Sequence, residues 1–487
     1  PERKEYLMQR LTGLDAAFLY AETPSQHMHV SMVGMFDTST MKGGYSFEKV
    51  RHLIGSRLHL IPMFRRRLVE VPFRIHHPVL VEDPDFDLDF HVRRMAVPAP
   101  GTLRELTELS GDFLSRPLDR SRPMWEIWVV EGLEDGHIGV LAKVHHSLID
   151  GVTGAEMLVH LFDLEPEPAA VEAPAEEDRK LDRVPTDAEL VGHAMVSLAR
   201  QPVRVVRTLP KTVGSVARLV SRRRGGAGGM ATPFSGPRTP WNGAIGPHRA
   251  VAVATLSLDD VKSLKRHFGT TVNDVVLALC SGALRRYLVD HGGAPADSLI
   301  STVPISVRQA EADGPSAEGA NQVSAMFVSL ATHLDDPVDR LRAISVSTAG
   351  AKEEHNALGA ETLMDWAEFA APGVFARAMR LYSRMNLADR HRPIHNVIIS
   401  NVPGPPFPLY LAGARLVMLA PLGPIMEGAG LNITVISYMD RIDVGLIADR
   451  EAIPDVWDLA DDFLASMAEL EKAAAATGAA PERASRT

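Results

Sequence analysis

The pattern of apolar and polar positions divides the chain into two halves, each mixing strands with helices. In the first half, residues 28–36 alternate with the period of a half-buried strand. Residues 125–131 read as a second strand. Residues 138–145 read as a third, almost continuously apolar until it ends in histidine. Apolar positions fall at helical spacing over 47–60 and 103–114. In the second half, helices are predicted over 258–268, 272–291, 337–354, 373–386 and 453–472. Strands are predicted over 299–304, 323–330, 396–400, 431–438 and 442–448.

The segment between the halves follows neither pattern. Residues 165–189 are dominated by Pro, Ala and acidic side chains, the composition of a solvated linker. From 190 to 258 there is no Asp or Glu, while Lys and Arg number ten. Within that stretch, 190–224 reads as one or two helices broken near Pro202 and Pro210. Val203, Val206, Leu209, Val213 and Val216 form an apolar stripe, and Arg200, Arg204, Arg207, Lys211 and Arg218 a basic side. The following GGAGGMATPFSGPRTPWNG predicts a flexible loop. The expected organisation is an N-terminal domain over 1–165, a linker, basic helices and loop over 166–247, a C-terminal domain over 248–475, and a flexible tail over 476–487.

Composition narrows the function classes. The chain has 487 residues, enough for two domains, and its 45% hydrophobic and 23% charged content is that of a globular protein. Its single cysteine, Cys280, excludes an internal disulfide and a cysteine-ligated zinc site. A cytoplasmic setting is the natural expectation. A net charge of −10 gives no basic bias toward nucleic acid. The start of the sequence lacks the apolar stretch of a signal peptide, and the most apolar segment, 416–436, is broken by Pro421, Pro424 and Glu427. Any membrane contact is therefore expected to be peripheral.

The sharpest chemical feature is VHHSLIDGVTG, residues 144–154. A buried strand runs into two histidines, and four residues past the second lies Asp150, followed by Gly151. Polar groups at a strand end are held by a rigid element. Adjacent residues of extended chain point to opposite sides, so only one of His145 and His146 faces a given cleft. Asp150-Gly151 predicts a tight turn and 154–162 a helix. An imidazole accepts a proton near neutral pH, which makes this pair a candidate general base. As metal ligands, neighbouring histidines diverge, and no HExxH occurs, so no metal is expected. His76-His77, and His27 with His29, read as structural. There is no GxSxG nucleophile elbow and no Walker A loop, Gly428 and Gly430 lack a dinucleotide fingerprint's third glycine, and Cys280 sits in a core-like run.

HHSLIDG resembles the HHxxxDG motif of the acyltransferase superfamily that includes chloramphenicol acetyltransferase, plant alcohol acyltransferases and peptide-synthetase condensation domains. More narrowly, the chain resembles the bacterial wax ester synthase/diacylglycerol acyltransferase family. The blocks that carry this are LTGLDAAFLYAETPSQHMHV (11–30), DPDFDLDFHVRR (83–94), PLDRSRPMWEIWVVEGL (117–133, with Met124 where leucine is usual), TTVNDVVLA (270–278), VPISVR (303–308), NQVSAMFVSL (321–330, after Ala320 in place of glycine) and SNVPGPPFPLYLAG (400–413). They run in order over nearly the whole chain. The chain departs from the family near Leu80, where tryptophan is common.

The resemblance implies an α/β fold of two chloramphenicol-acetyltransferase-like domains, mixed sheets flanked by helices, with an active-site tunnel between them. It implies fatty acyl-CoA as co-substrate with no cofactor, and diacylglycerol or a long-chain alcohol as acceptor, with His146 as general base and His145 in support. Asp150 would shape the site through an ion pair, with Arg308 its candidate partner, and Gly151 would permit the turn. Asn273 has two readings, a donor near the reaction centre or, with Asp274, a helix cap. Ser400 and Asn401 would line the tunnel or belong to a turn rigidified by Pro403 and Pro405. Trp125 is a pocket wall or a core residue. Residues 190–224 would lie on the inner membrane or a lipid droplet, or pack between domains with their arginines in solvent. Alternative functions are acylation of another alcohol, a carrier-protein condensation domain, or a non-catalytic lipid-droplet protein.

Overall fold

The short apolar runs of the first half form strands because β-branched and aromatic side chains pack well on a pleated surface. In the computed structural model, which describes residues 9–149, 160–167, 184–196, 229–306, 323–358 and 372–477, the first half contains β1 (Gln9–Arg10), α1 (Gly13–Ala21), β2 (His29–Asp37), α2 (Phe47–Arg57), β3 (Arg66–Val69), β4 (Val79–Glu82), β5 (Val92–Ala96), α3 (Leu103–Leu114), β6 (Trp125–Glu131) and β7 (His137–His145). The second half contains β8 (Arg249–Ser257), α4 (Leu258–Phe268), α5 (Val272–Asp290), β9 (Ile300–Ser306), β10 (Val323–Ser329), α6 (Pro337–Leu358), α7 (Pro372–Arg384), β11 (Val397–Val402), β12 (Tyr410–Leu411), β13 (Ala414–Leu422), β14 (Leu431–Tyr438), β15 (Arg441–Asp449) and α8 (Val456–Ala476).

These strands make two six-stranded mixed sheets, in the orders β12-β13-β2-β7-β6-β5 and β10-β9-β11-β14-β15-β8, and a small sheet β1-β4-β3. The first large sheet takes β12 and β13 from the second half of the chain. β13 runs antiparallel to β2 from Arg415↔Asp37 to Leu422↔Ser31, with a bulge between Leu416 and Met418. Beyond the bulge, Leu419 N–H is not left unpaired: Asp443 Oδ2 of the other sheet accepts it at 3.0 Å. Asp443 is fully buried, and burial raises its carboxyl pKa against the nearby Arg441.

One core packs α4, α5, α6 and α8 on the second sheet, and another packs α1 and α2 on the first. A third core joins the halves: Val33 and Leu141 of the first sheet, Leu106 and Phe113 of α3, and Val251, Val253 and Ile447 of the second sheet. The sheets approach closely at Gly445 of β15, where an added Cβ would lie 2.0 Å from Pro421 O of β13. Gly445→Ala is therefore expected to wedge the sheets apart and to destabilise the chain by about 1–3 kcal/mol, the cost of overpacking. An unchanged urea midpoint would contradict this contact.

The segment between the halves is only partly described. Leu190 and Ala194 are buried against Val71, Val79 and Val81 of the β3–β4 hairpin, so the start of the acid-free stretch packs on protein. Residues 197–228 lie outside the described residues. The Gly/Pro loop expected to be flexible is anchored in its later part. Trp241 is buried and donates its Nε1–H to Asn396 O at 2.8 Å, and Asn242 Nδ2 donates to Gly428 O at 2.8 Å. No helix of the described residues is long and apolar enough to cross a membrane.

Candidate functional site

The site is built where β7 ends. β7 lies between β2 and β6, and its register places His145 opposite His29. Directly opposed residues of an antiparallel pair share a face, as do residues two apart on one strand. His27, His29 and His145 accordingly form one buried layer. The His27 and His29 rings stack 5.5 Å apart, and the His29 ring meets His145 edge-on at 6.3 Å. His145 donates its backbone N–H to Met124 O at 3.0 Å. His146, just past the strand, donates its own to Met28 O at 2.7 Å. The two histidines are thus fixed by strands on opposite sides of β7.

His145 is buried and inward. Its Nδ1 accepts Ser147 N–H at 3.1 Å and lies 2.8 Å from Ser147 Oγ. Burial drives its pKa well below the ordinary histidine value, with Arg120 and His146 adding to the effect, so the ring is neutral. With Nδ1 accepting, the proton sits on Nε2, which faces Glu22 Oε2 at 3.9 Å. His29 Nε2 faces Glu22 Oε1 at 4.0 Å. Glu22 is in turn held by Arg120, whose Nε donates to Oε2 at 2.8 Å. Burial raises the Glu22 pKa and the Arg120 charge opposes that shift.

His146 faces the other way and is only half-buried. The Phe18 ring of α1 stacks on its imidazole at 4.0 Å with an interplanar angle of 16°. α1 is positioned by Thr12, whose Oγ accepts Asp15 N–H at 3.2 Å as an N-cap. An imidazole with its backbone tied to β2 and its ring set by an aromatic face has the fixed geometry that a general base requires.

A second group of candidate residues gathers at the start of α5 and the end of β11. Asp274 is the reciprocal partner of a capping box. Its backbone N–H donates to Thr271 Oγ at 3.1 Å and its Oδ2 accepts Thr271 N–H at 3.0 Å. Its Oδ1 accepts the Thr348 hydroxyl at 2.7 Å. Every contact of this buried carboxylate is structural. Beside it, Asn273 Oδ1 accepts Asn401 Nδ2 at 3.4 Å, which leaves its amide NH2 as the donor side of the group, with no acceptor for it among the described residues. Ser400 and Asn401 lie on β11, in register with Thr434 and Val435 of the parallel β14.

Trp125 resolves to the core. It is 0% exposed, stacks on Phe64 at 4.4 Å and His91 at 4.5 Å, and donates Nε1–H to Phe64 O at 2.8 Å. Asp150, Gly151 and Arg308 lie outside the described residues, as does most of the helix expected over 154–162. Among the described residues, no hydrogen bond or ring contact links the histidine group to the Asn273–Asn401 pair. Phe18, Glu22, Arg120 and Ser147 were not singled out from sequence. In sequence, His27 and His29 read only as structural residues.

The histidine layer makes acid stability a test of this geometry. Burial lowers the His27 pKa to about 4, and those of His29 and His145 well below the ordinary 6.5. Below about 6.5 the unfolded chain takes up protons that these folded histidines refuse, so their contribution to stability is full above about 6.5 and falls with acidification from about 6.5 to 4. Each of the three contributes a slope of up to about 1.4 kcal/mol per pH unit. Glu22, with its pKa raised, acts in the opposite sense as one group against three. His27→Gln is expected to remove one histidine's share of the slope in urea melts between pH 5 and 7. Equal slopes would contradict the layer.

Comparison with known proteins places this arrangement. Residues 11–276 match the wax ester synthase/diacylglycerol acyltransferase catalytic domain, and 319–471 the WS/DGAT C-terminal domain. A Mycobacterium tuberculosis protein, whose name assigns it diacylglycerol O-acyltransferase activity by inference, is 42% identical over 464 residues, 95% of this chain and 90% of that protein. Another from the same species, named in the same way, is 35% identical over 468 residues, 96% of this chain and 97% of that protein. The solved wax ester synthase/diacylglycerol acyltransferase of Marinobacter aquaeolei VT8 superposes with a TM-score of 0.68 at 28% identity, covering 96% of this chain and all of that one. The first condensation domain of the calcium-dependent antibiotic synthetase shares the fold at a TM-score of 0.58 and 16% identity, covering 99% of this chain and 100% of that one.

Proposed function

The chain belongs to the wax ester synthase/diacylglycerol acyltransferase family, and from that premise we propose that it moves a long-chain fatty acyl group from acyl-CoA to the free hydroxyl of diacylglycerol, making triacylglycerol. The observation that carries this reading is the placement of His146 at the end of β7, with its backbone bonded to Met28 O and its ring stacked on Phe18.

In the proposed reaction, His146 takes the proton of the acceptor hydroxyl as the oxygen attacks the thioester carbonyl carbon. The new C–O bond leaves a tetrahedral oxyanion. Its collapse breaks the C–S bond and expels CoA thiolate, which recovers the proton from the His146 imidazolium. Protons and electrons balance without a covalent acyl-enzyme or a cofactor. Asn273, whose carbonyl oxygen is engaged by Asn401, presents its amide NH2 as the donor for the oxyanion. His145 stays neutral behind the reacting group and keeps β7 in register.

A long-chain alcohol as acceptor, giving a wax ester, is the second reading. It is supported by the Marinobacter neighbour, whose name carries both activities. An acceptor of either kind is dissolved in lipid, so we place the enzyme peripherally at a membrane or lipid-droplet surface. Release of CoA thiol from palmitoyl-CoA tests the function, with dioleoylglycerol, hexadecanol or no acceptor present. Acceptor-dependent release with dioleoylglycerol is expected. Release independent of any acceptor would sink the proposal.

A further inference from the structure

α7 carries an apolar stripe on its solvent side. Val374, Ala378, Leu381 and Met385 follow i, i+4, i+7 and i+11 spacing, which at about 3.6 residues per turn aligns them on one narrow face. They point outward: Val374 is 67% exposed, Leu381 56% and Met385 44%. Met385 continues the helical turn, its N–H bonded to Leu381 O at 3.0 Å. Beside this stripe runs a second one, Arg377, Arg380 and Arg384, all exposed and, among the described residues, in no salt bridge. The helix carries no acidic residue. Its remaining face is satisfied within the protein: Ala376 is buried, the Phe375 ring lies 6.4 Å from Tyr20 of α1, and Ser383 donates to Glu427. The exposed stripe is thus not the helix's core contact left bare.

Isolated apolar residues on a surface need no explanation, but a contiguous helical stripe flanked by arginines does. Apolar side chains adjoining a one-sided basic band match an anionic interface, where hydrocarbon takes the stripe and phosphates take the arginines. The neighbouring surface has the same character. The β3–β4 hairpin shares a cleft with Ala376 and Arg380 of α7 through Val71 and Arg74, and its tip, Phe73, is 92% exposed.

We infer that α7 is the docking element by which the chain lies on an anionic lipid surface. Its Val374–Met385 stripe enters the acyl boundary, and Arg377, Arg380 and Arg384 bind headgroup phosphates. The purpose of this contact rests on the proposed lipid-dissolved acceptor; the geometry does not. α1, on which α7 packs, also carries Phe18 against His146, so docking brings the site's own scaffold to the lipid.

The test is flotation of the full chain with vesicles of phosphatidylglycerol and phosphatidylcholine, and with phosphatidylcholine alone. Binding to the anionic vesicles is expected. The triple variant Arg377→Gln, Arg380→Gln, Arg384→Gln should lower the partition by about a hundredfold, since each basic residue at an anionic surface contributes several-fold. Cys280 is buried and is the chain's one cysteine, so Leu381→Cys carries an environment-sensitive dye alone. That dye should shift to the blue on anionic vesicles, while the same dye at Val346→Cys, exposed on α6, should not. No vesicle binding by the parent, no shift at position 381, or a triple variant that binds like the parent would overturn the inference. The last outcome together with loss of binding on charge reversal over 197–224 would assign the contact to that stretch instead. CoA release with a water-soluble alcohol reads the chemistry separately: the triple variant should match the parent. A parent inactive toward every acceptor would refute the function while leaving the vesicle result standing.

Discussion

Replacing His146 with alanine is expected to lower acyl transfer by about 10²–10⁴-fold, the contribution of a positioned general base. The fall should appear mainly in kcat, because in the proposed reaction the imidazole acts on the proton that moves in the transition state. Stability should change little. The ring is half-buried, and its loss uncovers one face of Phe18 without leaving a buried charge unpaired. Circular dichroism and a thermal melt of the variant separate lost chemistry from lost fold. A variant that keeps the parent's rate would mean that His146 does not hold the transferred proton.

Replacing Trp125 with alanine is expected to have the opposite signature. The indole is enclosed between Phe64 and His91, and its Nε1–H is bonded to Phe64 O. Truncation removes a large buried side chain and leaves Phe64 O without that donor, at a cost of about 3–5 kcal/mol. The residue before it, Met124, accepts the backbone N–H of His145, so loosening here reaches β7 through β6. The melting temperature should fall sharply. The KM for acyl-CoA, measured well below the melt, should stay near the parent's. A raised KM with an unchanged melt would return Trp125 to the substrate pocket.

The readable parts of this protein were those where one periodicity dominates. The amphipathic spacing over 103–114 predicted α3 (Leu103–Leu114), and the helix at 373–386 differs from α7 (Pro372–Arg384) only at its ends. The HH pair at a strand end gave the opposite orientations of His145 and His146 from backbone geometry alone. β13 was not legible. Its segment reads in sequence only as an apolar run interrupted by Pro421, yet β12 covers only the far end of β13, around Arg415, so the missing Pro421 N–H faces no ladder there. β13 joins the sheet of the opposite half, a long-range pairing that no local pattern encodes. Glu22 and Arg120 were hidden for the same reason: 98 positions apart in sequence, they meet only because α1 is laid beside the segment that leads into β6. The capping role of Asp274 was readable from its place at the helix start, though its partner Thr271 was not. That Asn273 is held by Asn401 depends on α5 meeting the end of β11.

In the proposed reaction the acyl group passes directly from CoA to an acceptor hydroxyl at His146. The most direct measurement follows the label of radioactive palmitoyl-CoA mixed with the chain and quenched in acid, with and without dioleoylglycerol. Direct transfer leaves no label on the protein without acceptor, puts label in triacylglycerol when dioleoylglycerol is present, and puts almost none there for the His146→Ala variant. Label that stays on the denatured protein, or triacylglycerol formed equally by the variant, would contradict it.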